Sequence, residues 1–210
     1  MTIAIEEWRR LWGQLGAATV NGGLMNQLVA AYSERHRHYH TLQHLRECLA
    51  HAEAVRTLAR RPAELDLALW FHDAVYDPQR KDNEERSAQW AHASVLAAGC
   101  AQDIGDRVAA LVLATRDHVS RNEDADTQLM LDIDLAILGA SYARFDEYER
   151  QVRTEYAHVD DAAFRGGRTK FVQSMLARPA IYATDVYRGT LEKRARENLP
   201  RSVEAMARDA

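Results

Sequence analysis

The chain has 210 residues, of which 47% are apolar, and this size and composition suit a globular protein with a sizeable core. Glycine and proline are scarce, at 10 and 4 residues, and Ala and Leu outnumber Val and Ile, which favours helix and excludes an all-β sandwich. The formal net charge of −4 argues against a broadly basic surface for nucleic acid. No apolar run approaches the length of a membrane span, and the charged first residues do not resemble a signal peptide, so we expect a cytoplasmic protein.

Apolar residues recur at three- and four-residue steps along most of the chain, as in Leu42, Leu45 and Leu49, which predicts an all-α fold. The pattern predicts helices at roughly 4–15, 24–36, 41–60, 63–75, 83–98, 104–117, 126–138, 142–157, 161–177 and 180–198. Pro179 and Pro200 are expected to interrupt the pattern near the C-terminus. No linker or repeat divides the chain, so we predict a single domain over 1–210, built as a compact bundle of about eight to ten helices.

Polar residues interrupt several of these apolar rows, where a buried carboxylate or imidazole needs a partner or a metal ion. They are His40 and His44 beside the leucine row, His72 and Asp73 after an apolar run, His118 at the end of a row, and Asp134 within an apolar segment. The two cysteines, Cys48 and Cys100, are too few for a metal-binding knuckle and are predicted to be reduced core thiols. Nitrogen and oxygen ligands without thiolate are typical of sites for Mn, Fe, Co, Ni or Mg, and Zn also fits.

Each of these residues, taken alone, has an ordinary structural explanation. A single histidine at the end of an apolar row is more often a core or capping residue. Asp132 and Asp134 would also suit the first turn of a helix, where carboxylates interact well with the helix dipole. The set in chain order favours a metal site more strongly, with His44 followed by His72 and Asp73, and then by Asp134.

In this order, H…HD…D, the chain resembles the HD superfamily of metal-dependent phosphohydrolases, and in particular a bacterial group of predicted HD phosphohydrolases. The resemblance extends from about residue 32 to residue 199. The similar segments are RHYHTLQH at 37–44, FHDAVYD at 71–77, DNEERSA at 82–88 and LDIDLAILG at 131–139. The resemblance implies an HD-type domain that hydrolyses a phosphate ester, such as a nucleotide or a related small molecule, by attack of metal-bound hydroxide.

Carried over to this chain, the resemblance implies that His44, His72, Asp73 and Asp134 bind one or two divalent ions. Asp132 competes with Asp134 for the last position, and we prefer Asp134 because it takes the second place in the D-x-D segment and lies on the row expected to be buried. Asp73 is also expected to act in catalysis, because it could bridge to a second ion.

Other candidate residues belong to the catalytic step. The segment Tyr39-His40-x-x-x-His44 also resembles cyclic-nucleotide phosphodiesterases, and this makes His40 the expected general acid. His118 is expected to donate a hydrogen bond to the phosphate, and Glu84 to orient water or contact a second ion. Candidate phosphate contacts further along the chain are Arg168, Lys170 and Arg178.

Two other functions are compatible with the same residues. If His92 and His118 joined the ligand set, the chain would resemble HD-domain di-iron oxygenases. A non-catalytic, ligand-sensing helical module is the second alternative. For the phosphohydrolase and for the oxygenase alike, the expected partner is a small molecule, and no membrane or nucleic acid is expected. A homodimer is compatible with the sequence.

Overall fold

The computed structural model describes residues 5–119 and 124–208. These residues form α-helices joined by turns and short 3₁₀ segments, with no β-strand among them, and this confirms the all-α prediction. The chain divides into two compact units, Met1–Met130 and Leu131–Ala210. That the whole of 1–210 is one HD-type domain stays a prediction. None of the helices in the described segments is both long enough and apolar enough to cross a membrane.

The first unit is built around a helix whose C-terminal half is apolar on every side. The helices of this unit are α1 (Ile5–Gln14), α2 (Gly22–Ala31), α3 (Leu42–Ala54), α4 (Pro62–Phe71), α5 (Asn83–Ala97), α6 (Gln102–Ala114) and the larger part of α7 (Ala125–Asp134). From Leu67 to Phe71 every residue of α4 is buried, and α4 packs against α1, α3, α5 and α6. A helical segment without a polar face is stable only at the centre of such a bundle. Residues directly after α4 therefore begin in the interior of the unit.

The second unit contains α8 (Tyr142–Glu155), α9 (Asp161–Leu176), α10 (Asp185–Thr190) and α11 (Glu192–Arg208). A 3₁₀ segment, Leu135–Gly139, packs against α11. A Cβ at Gly139 would lie 2.6 Å from the Cβ of Leu191, so only glycine fits at this contact. The Asn198 side chain donates hydrogen bonds to the carbonyls of Leu138 and Ala140, at 2.8 and 2.9 Å, and this ties α11 to the same segment.

Several predicted helix boundaries were wrong. The predicted helix 24–36 ends at Ala31, 41–60 ends at Ala54 and is followed by a separate 3₁₀ turn, and 126–138 becomes 3₁₀ after Asp134. The predicted helix 180–198 is two helices, because the Glu192 carboxylate accepts hydrogen bonds from the backbone N–H groups of Ile181 and Tyr182 outside any helix.

Pro200 does not interrupt the C-terminal helix as the sequence predicted, but lies inside α11. A proline inside a helix removes one backbone hydrogen bond and crowds the preceding turn. Ala195, Leu199 and Ser202 nevertheless keep helical spacing and are buried on one face of α11. This packing outweighs the local cost, since the stability of most protein helices comes from their buried face.

Candidate metal centre

Two helices of the first unit bring His44, His72 and Asp73 together. His44 lies in the first turn of α3, which is capped by Thr41, whose hydroxyl accepts a hydrogen bond from the backbone N–H of Gln43 at 3.2 Å. His72 and Asp73 directly follow α4, the central apolar helix. Both histidines are almost fully buried, with exposed fractions of 2% for His44 and 1% for His72.

The ligand atoms of these three side chains converge on one point. The Nε2 atoms of His44 and His72 are 3.0 Å apart, and Asp73 Oδ2 lies 3.0 Å from His72 Nε2 and 3.5 Å from His44 Nε2. Two atoms that are each about 2.1 Å from one ion lie about 3.0 Å apart at a right angle and about 3.4 Å apart at a tetrahedral angle. The observed distances are therefore those of ligands around a single divalent ion, and this buried cluster could hold one.

The tautomer of His72 suits metal binding. Its Nδ1 lies 2.8 Å from the carbonyl oxygen of Leu69. A carbonyl only accepts hydrogen bonds, so Nδ1 carries a proton, and in the neutral ring that a metal ion requires Nε2 would present its lone pair to the ion. A histidine that binds a metal typically donates its other ring N–H to a backbone carbonyl or a carboxylate in this way.

Asp73 is held as a carboxylate. Burial by itself would raise its pKa, but the neighbouring His72 and His40, together with hydrogen bonds from His44 and His72, outweigh burial and keep the pKa of Asp73 well below its usual value. Hard divalent cations bind the ionised form of a carboxylate, so this environment prepares the side chain for a positive ion.

A buried arginine that the sequence reasoning missed holds the backbone of the HD pair in place. The Arg37 guanidinium donates hydrogen bonds to the carbonyls of Asp73, Ala74 and His40 at 2.6, 3.1 and 3.3 Å. Its Nε also pairs with Glu34 at 3.0 Å. The only sequence signal was its position at the start of the RHYHTLQH segment, and arginine side chains in proteins are usually exposed.

Two tyrosines complete the immediate surroundings. The hydroxyl of Tyr32 accepts a hydrogen bond from the backbone N–H of Asp73 at 3.3 Å. Burial raises the pKa of Tyr32 to about 12, so its phenol stays neutral. The ring of Tyr76 stacks on the imidazole of His40 with centroids 4.0 Å apart, and this contact orients the predicted general acid.

The other two predicted catalytic residues interact electrostatically with one another. Glu84 is half-buried on α5, and burial raises its pKa, with the negative charges of Asp73 and Glu85 adding to the effect and His118 opposing it. His118 follows α6 and has a φ of +50°, the one positive φ outside glycine among the described residues. Such backbone conformations are often found at functional sites.

Substitution of Glu84 by glutamine is expected to stabilise the metal-free protein at neutral pH. Because the folded-state pKa is raised above the usual 4.5, ionisation of Glu84 costs folding free energy above that value, and the cost disappears as the pH falls through the folded-state pKa and below 4.5. The effect is expected to be below about 1 kcal/mol, since the side chain is partly exposed. Urea unfolding at neutral and at acid pH measures it, and a variant less stable than wild type at neutral pH would contradict it.

Other predicted residues lie in different surroundings. The Nε2 atom of His92 is 3.1 Å from Asp106 Oδ1, and this pair joins α5 to α6 rather than the metal cluster. The six-ligand set of a di-iron oxygenase therefore lacks support at His92. Arg168, a predicted phosphate contact, is buried and pairs with Glu149 inside the second unit. No bound phosphate is needed to account for its position.

Cys48, predicted to be a core thiol, is buried as expected but lies among the candidate ligands. Ligand atoms of His44, Cys48 and His72 all lie within 4.8 Å of one another. The sequence signal was present, because Cys48 is four residues after His44 and so on the same face of α3. Cys100 is also buried, and neither cysteine forms a disulfide.

The structure assigns a structural role to Asp132, the competitor of Asp134. Its carboxylate accepts hydrogen bonds from the backbone N–H groups of Ala183 and Thr184, both at 2.7 Å, and from the Thr184 hydroxyl at 2.5 Å. Asp132 is 1% exposed, whereas Asp134 is half-buried, so Asp134, preferred in part for its place on the buried row, is the less buried of the two. With Asp132 occupied in this way, Asp134 stays the predicted fourth ligand.

Replacing Asp132 with alanine is expected to lower mainly the stability of the protein, whereas replacing Asp134 with alanine is expected to lower mainly its metal content. Asp132→Ala leaves three donors without an acceptor and should lower the free energy of unfolding by about 2–4 kcal/mol, with bound metal retained in the folded protein. Asp134→Ala should lower the metal content with much less loss of stability. Elemental analysis and thermal unfolding of both variants separate the roles, and loss of metal from folded Asp132→Ala alone would reverse the assignment.

Comparisons of the chain with protein-family models, with curated proteins and with solved structures found no match.

Proposed function

We propose that the protein is a metal-dependent phosphohydrolase acting on a phosphate ester of a small molecule, such as a nucleotide. The observation that carries the proposal is the convergence of His44 Nε2, His72 Nε2 and Asp73 Oδ2 at 3.0–3.5 Å in the interior of a helical unit. Their order in the sequence, H…HD, and the D-x-D segment that contains Asp134 support the same function.

The donor set suits a divalent ion, because it combines two imidazole nitrogens, one of them on a ring whose other nitrogen donates to a backbone carbonyl, with a carboxylate. Such an ion, when bound, supplies activation of water and neutralisation of charge on phosphoryl oxygens. His44, His72 and Asp73 would hold it, and Asp134 is the further ligand predicted from the sequence. A set of oxygen and nitrogen ligands suits Mn, Fe, Co, Ni, Mg and Zn, so the donor atoms do not select among these ions.

The chain's own groups would perform the proton transfers. His40 lies beside Asp73 and has its ring oriented by Tyr76, and we assign it the donation of a proton to the leaving oxygen. Glu84 has a raised pKa and so binds a proton more readily than an exposed glutamate, which suits orientation of the attacking water. His118 interacts electrostatically with Glu84, and we assign it a hydrogen bond to the phosphoryl group.

A phosphate-release screen tests the proposal. Purified full-length chain is stripped of metal, reloaded separately with each candidate ion, and assayed against nucleoside monophosphates, cyclic nucleotides, linear diesters and pyrophosphates. We expect at least one ion to be retained and to restore release from at least one class. Protein that binds a stoichiometric ion but releases phosphate from none of them would overturn the proposal, and oxygen consumption by the iron-loaded form would then favour the oxygenase.

A further inference from the structure

The second unit contains a cleft that is lined by four arginines, and we call it the arginine cleft. Its volume of about 520 Å³ is that of a site for a small organic molecule. Its lining residues come from α8, α9 and α11 and recur at helical spacing, so each of these helices contributes one face to the same space. None of the candidate metal ligands is among them.

The three acidic side chains of the arginine cleft are each paired with an arginine. The pairs are Asp146 with Arg201 at 3.3 Å, Asp161 with Arg153 at 2.7 Å, and Glu149 with the buried Arg168. Glu149 also accepts a hydrogen bond from the Ser202 hydroxyl at 2.7 Å. Because each negative charge has a positive charge beside it, the acids oppose the entry of an anion only weakly.

The other two arginines of the cleft, Arg150 and Arg165, form no ion pair and no side-chain hydrogen bond within residues 5–119 and 124–208. Arg150 lies on α8 and is exposed, and Arg165 lies on α9 and is half-buried. A guanidinium in this state has its planar fork of N–H donors available to an oxyanion. The cleft therefore has two positive charges that the protein does not neutralise.

The arginine cleft also has an apolar part, which Phe164 and Met206 contribute. The Arg153 guanidinium lies over the Phe164 ring, 4.8 Å from its centroid. Arg153 is itself fixed by hydrogen bonds to the carbonyls of Tyr156 and Val159, at 2.7 and 3.1 Å. This apolar surface is held in place beside the two arginines, and it suits a ligand in which an apolar group adjoins an anionic one.

We propose that the arginine cleft binds a soluble small molecule that carries a phosphomonoester next to an aromatic group, with Arg150 and Arg165 holding the phosphate. A phosphomonoester has a charge of about −1.5 to −2 at pH 7, which matches two guanidinium groups better than the single charge of a carboxylate does. Tyr142 is the one large apolar side chain that the described part of this unit exposes, so the surface offers little for insertion into a lipid bilayer. The inference does not depend on the proposed function.

Isothermal titration calorimetry with phenyl phosphate tests the inference on the full chain, stripped of metal so that the metal centre does not hydrolyse the probe. We expect wild type to bind one phenyl phosphate. Arg150→Gln and Arg165→Gln should each bind it at least about tenfold more weakly, because each loses charge-assisted hydrogen bonds to the phosphate. Lys193→Gln is the matched control, since it removes one positive charge from an exposed position on α11 outside the cleft, and it should match wild type. Circular dichroism reports folding of each variant.

The Asp73→Ala variant separates the arginine cleft from the metal centre. We expect it to bind phenyl phosphate as wild type does. If binding is lost in Asp73→Ala and retained in both arginine variants, the phosphate binds at the metal centre and the inference is overturned, while the proposed function stands. Conversely, binding that requires Arg150 and Arg165 in a protein that hydrolyses no phosphate ester supports the inference and not the proposed function.

Two further probes test the chemical class of the ligand. Benzoate keeps the aromatic ring and has a single negative charge, and we expect it to bind at least about tenfold more weakly than phenyl phosphate. Vesicles of phosphatidylcholine and phosphatidic acid present a phosphomonoester on a membrane, and we expect no co-sedimentation of the protein with them. Equal affinity for benzoate, binding to the vesicles through Arg150 and Arg165, or no binding of phenyl phosphate by wild type overturns the inference.

Discussion

Replacement of Asp73 with alanine is expected to remove both the bound metal and the phosphohydrolase activity. Its carboxylate is in contact with both His44 and His72, at 3.5 and 3.0 Å. Without it, the ion would lose a direct ligand and a negative charge that offsets the cost of dehydrating the ion. Because altering even an outer partner of a metal ligand typically costs about 10–100-fold in affinity, loss of a direct ligand should cost at least about 100-fold.

The matched control for this variant is Asp106→Ala. Asp106 also lies close to a histidine nitrogen, 3.1 Å from His92 Nε2, but its side chain is 60% exposed and it is outside the cluster. We expect this variant to keep its metal content and activity. Metal titration and phosphate release are measured on both variants. Full activity and metal content in folded Asp73→Ala would show that the HD pair does not form the site.

Replacement of Arg37 with methionine is expected to cause the largest loss of stability among the variants considered. The guanidinium is buried, and its removal leaves the carbonyls of His40, Asp73 and Ala74 without their donor. At about 1–3 kcal/mol for each buried group left unsatisfied, the free energy of unfolding should fall by about 3 kcal/mol or more. Arg37→Lys should recover only part of this loss, since an ammonium lacks the planar fork that reaches two carbonyls.

Arg37 is also expected to act as a positioning residue for the metal ligands. Its hydrogen bond to the Asp73 carbonyl fixes the backbone from which the carboxylate extends. In any fraction of Arg37→Lys that folds, metal affinity should fall, whereas the neighbouring Arg35→Lys, at an exposed position, should match wild type in both properties. Chemical denaturation and metal titration measure the two effects. Unchanged metal affinity in a destabilised Arg37→Lys would limit Arg37 to a purely structural role.

Asp132 and Asp134 illustrate why periodicity alone could not assign the ligands. Both residues lie in one apolar segment, and their spacing makes either a plausible inward-facing carboxylate. Asp132 proves to be satisfied by Ala183 and Thr184, some fifty residues later in the chain. A partner so distant in sequence leaves no local signal, because the hydrogen bond exists only once the loop before α10 has packed.

The sequence alone determined the helical class, through the spacing of its apolar residues, and the membership of the HD pair in a candidate site, through the cost of burying polar groups in apolar rows. Both inferences depend on the polarity of individual side chains and on their spacing along the chain, which the sequence contains directly. Only the tertiary structure decided which groups meet. It placed Arg37 on the backbone of the HD pair, added Cys48 to the cluster, paired His92 with Asp106 and kept Pro200 inside a helix. Such pairings arise from contacts between separate helices, and packing energy there overrides the preferences that a sequence displays on its own.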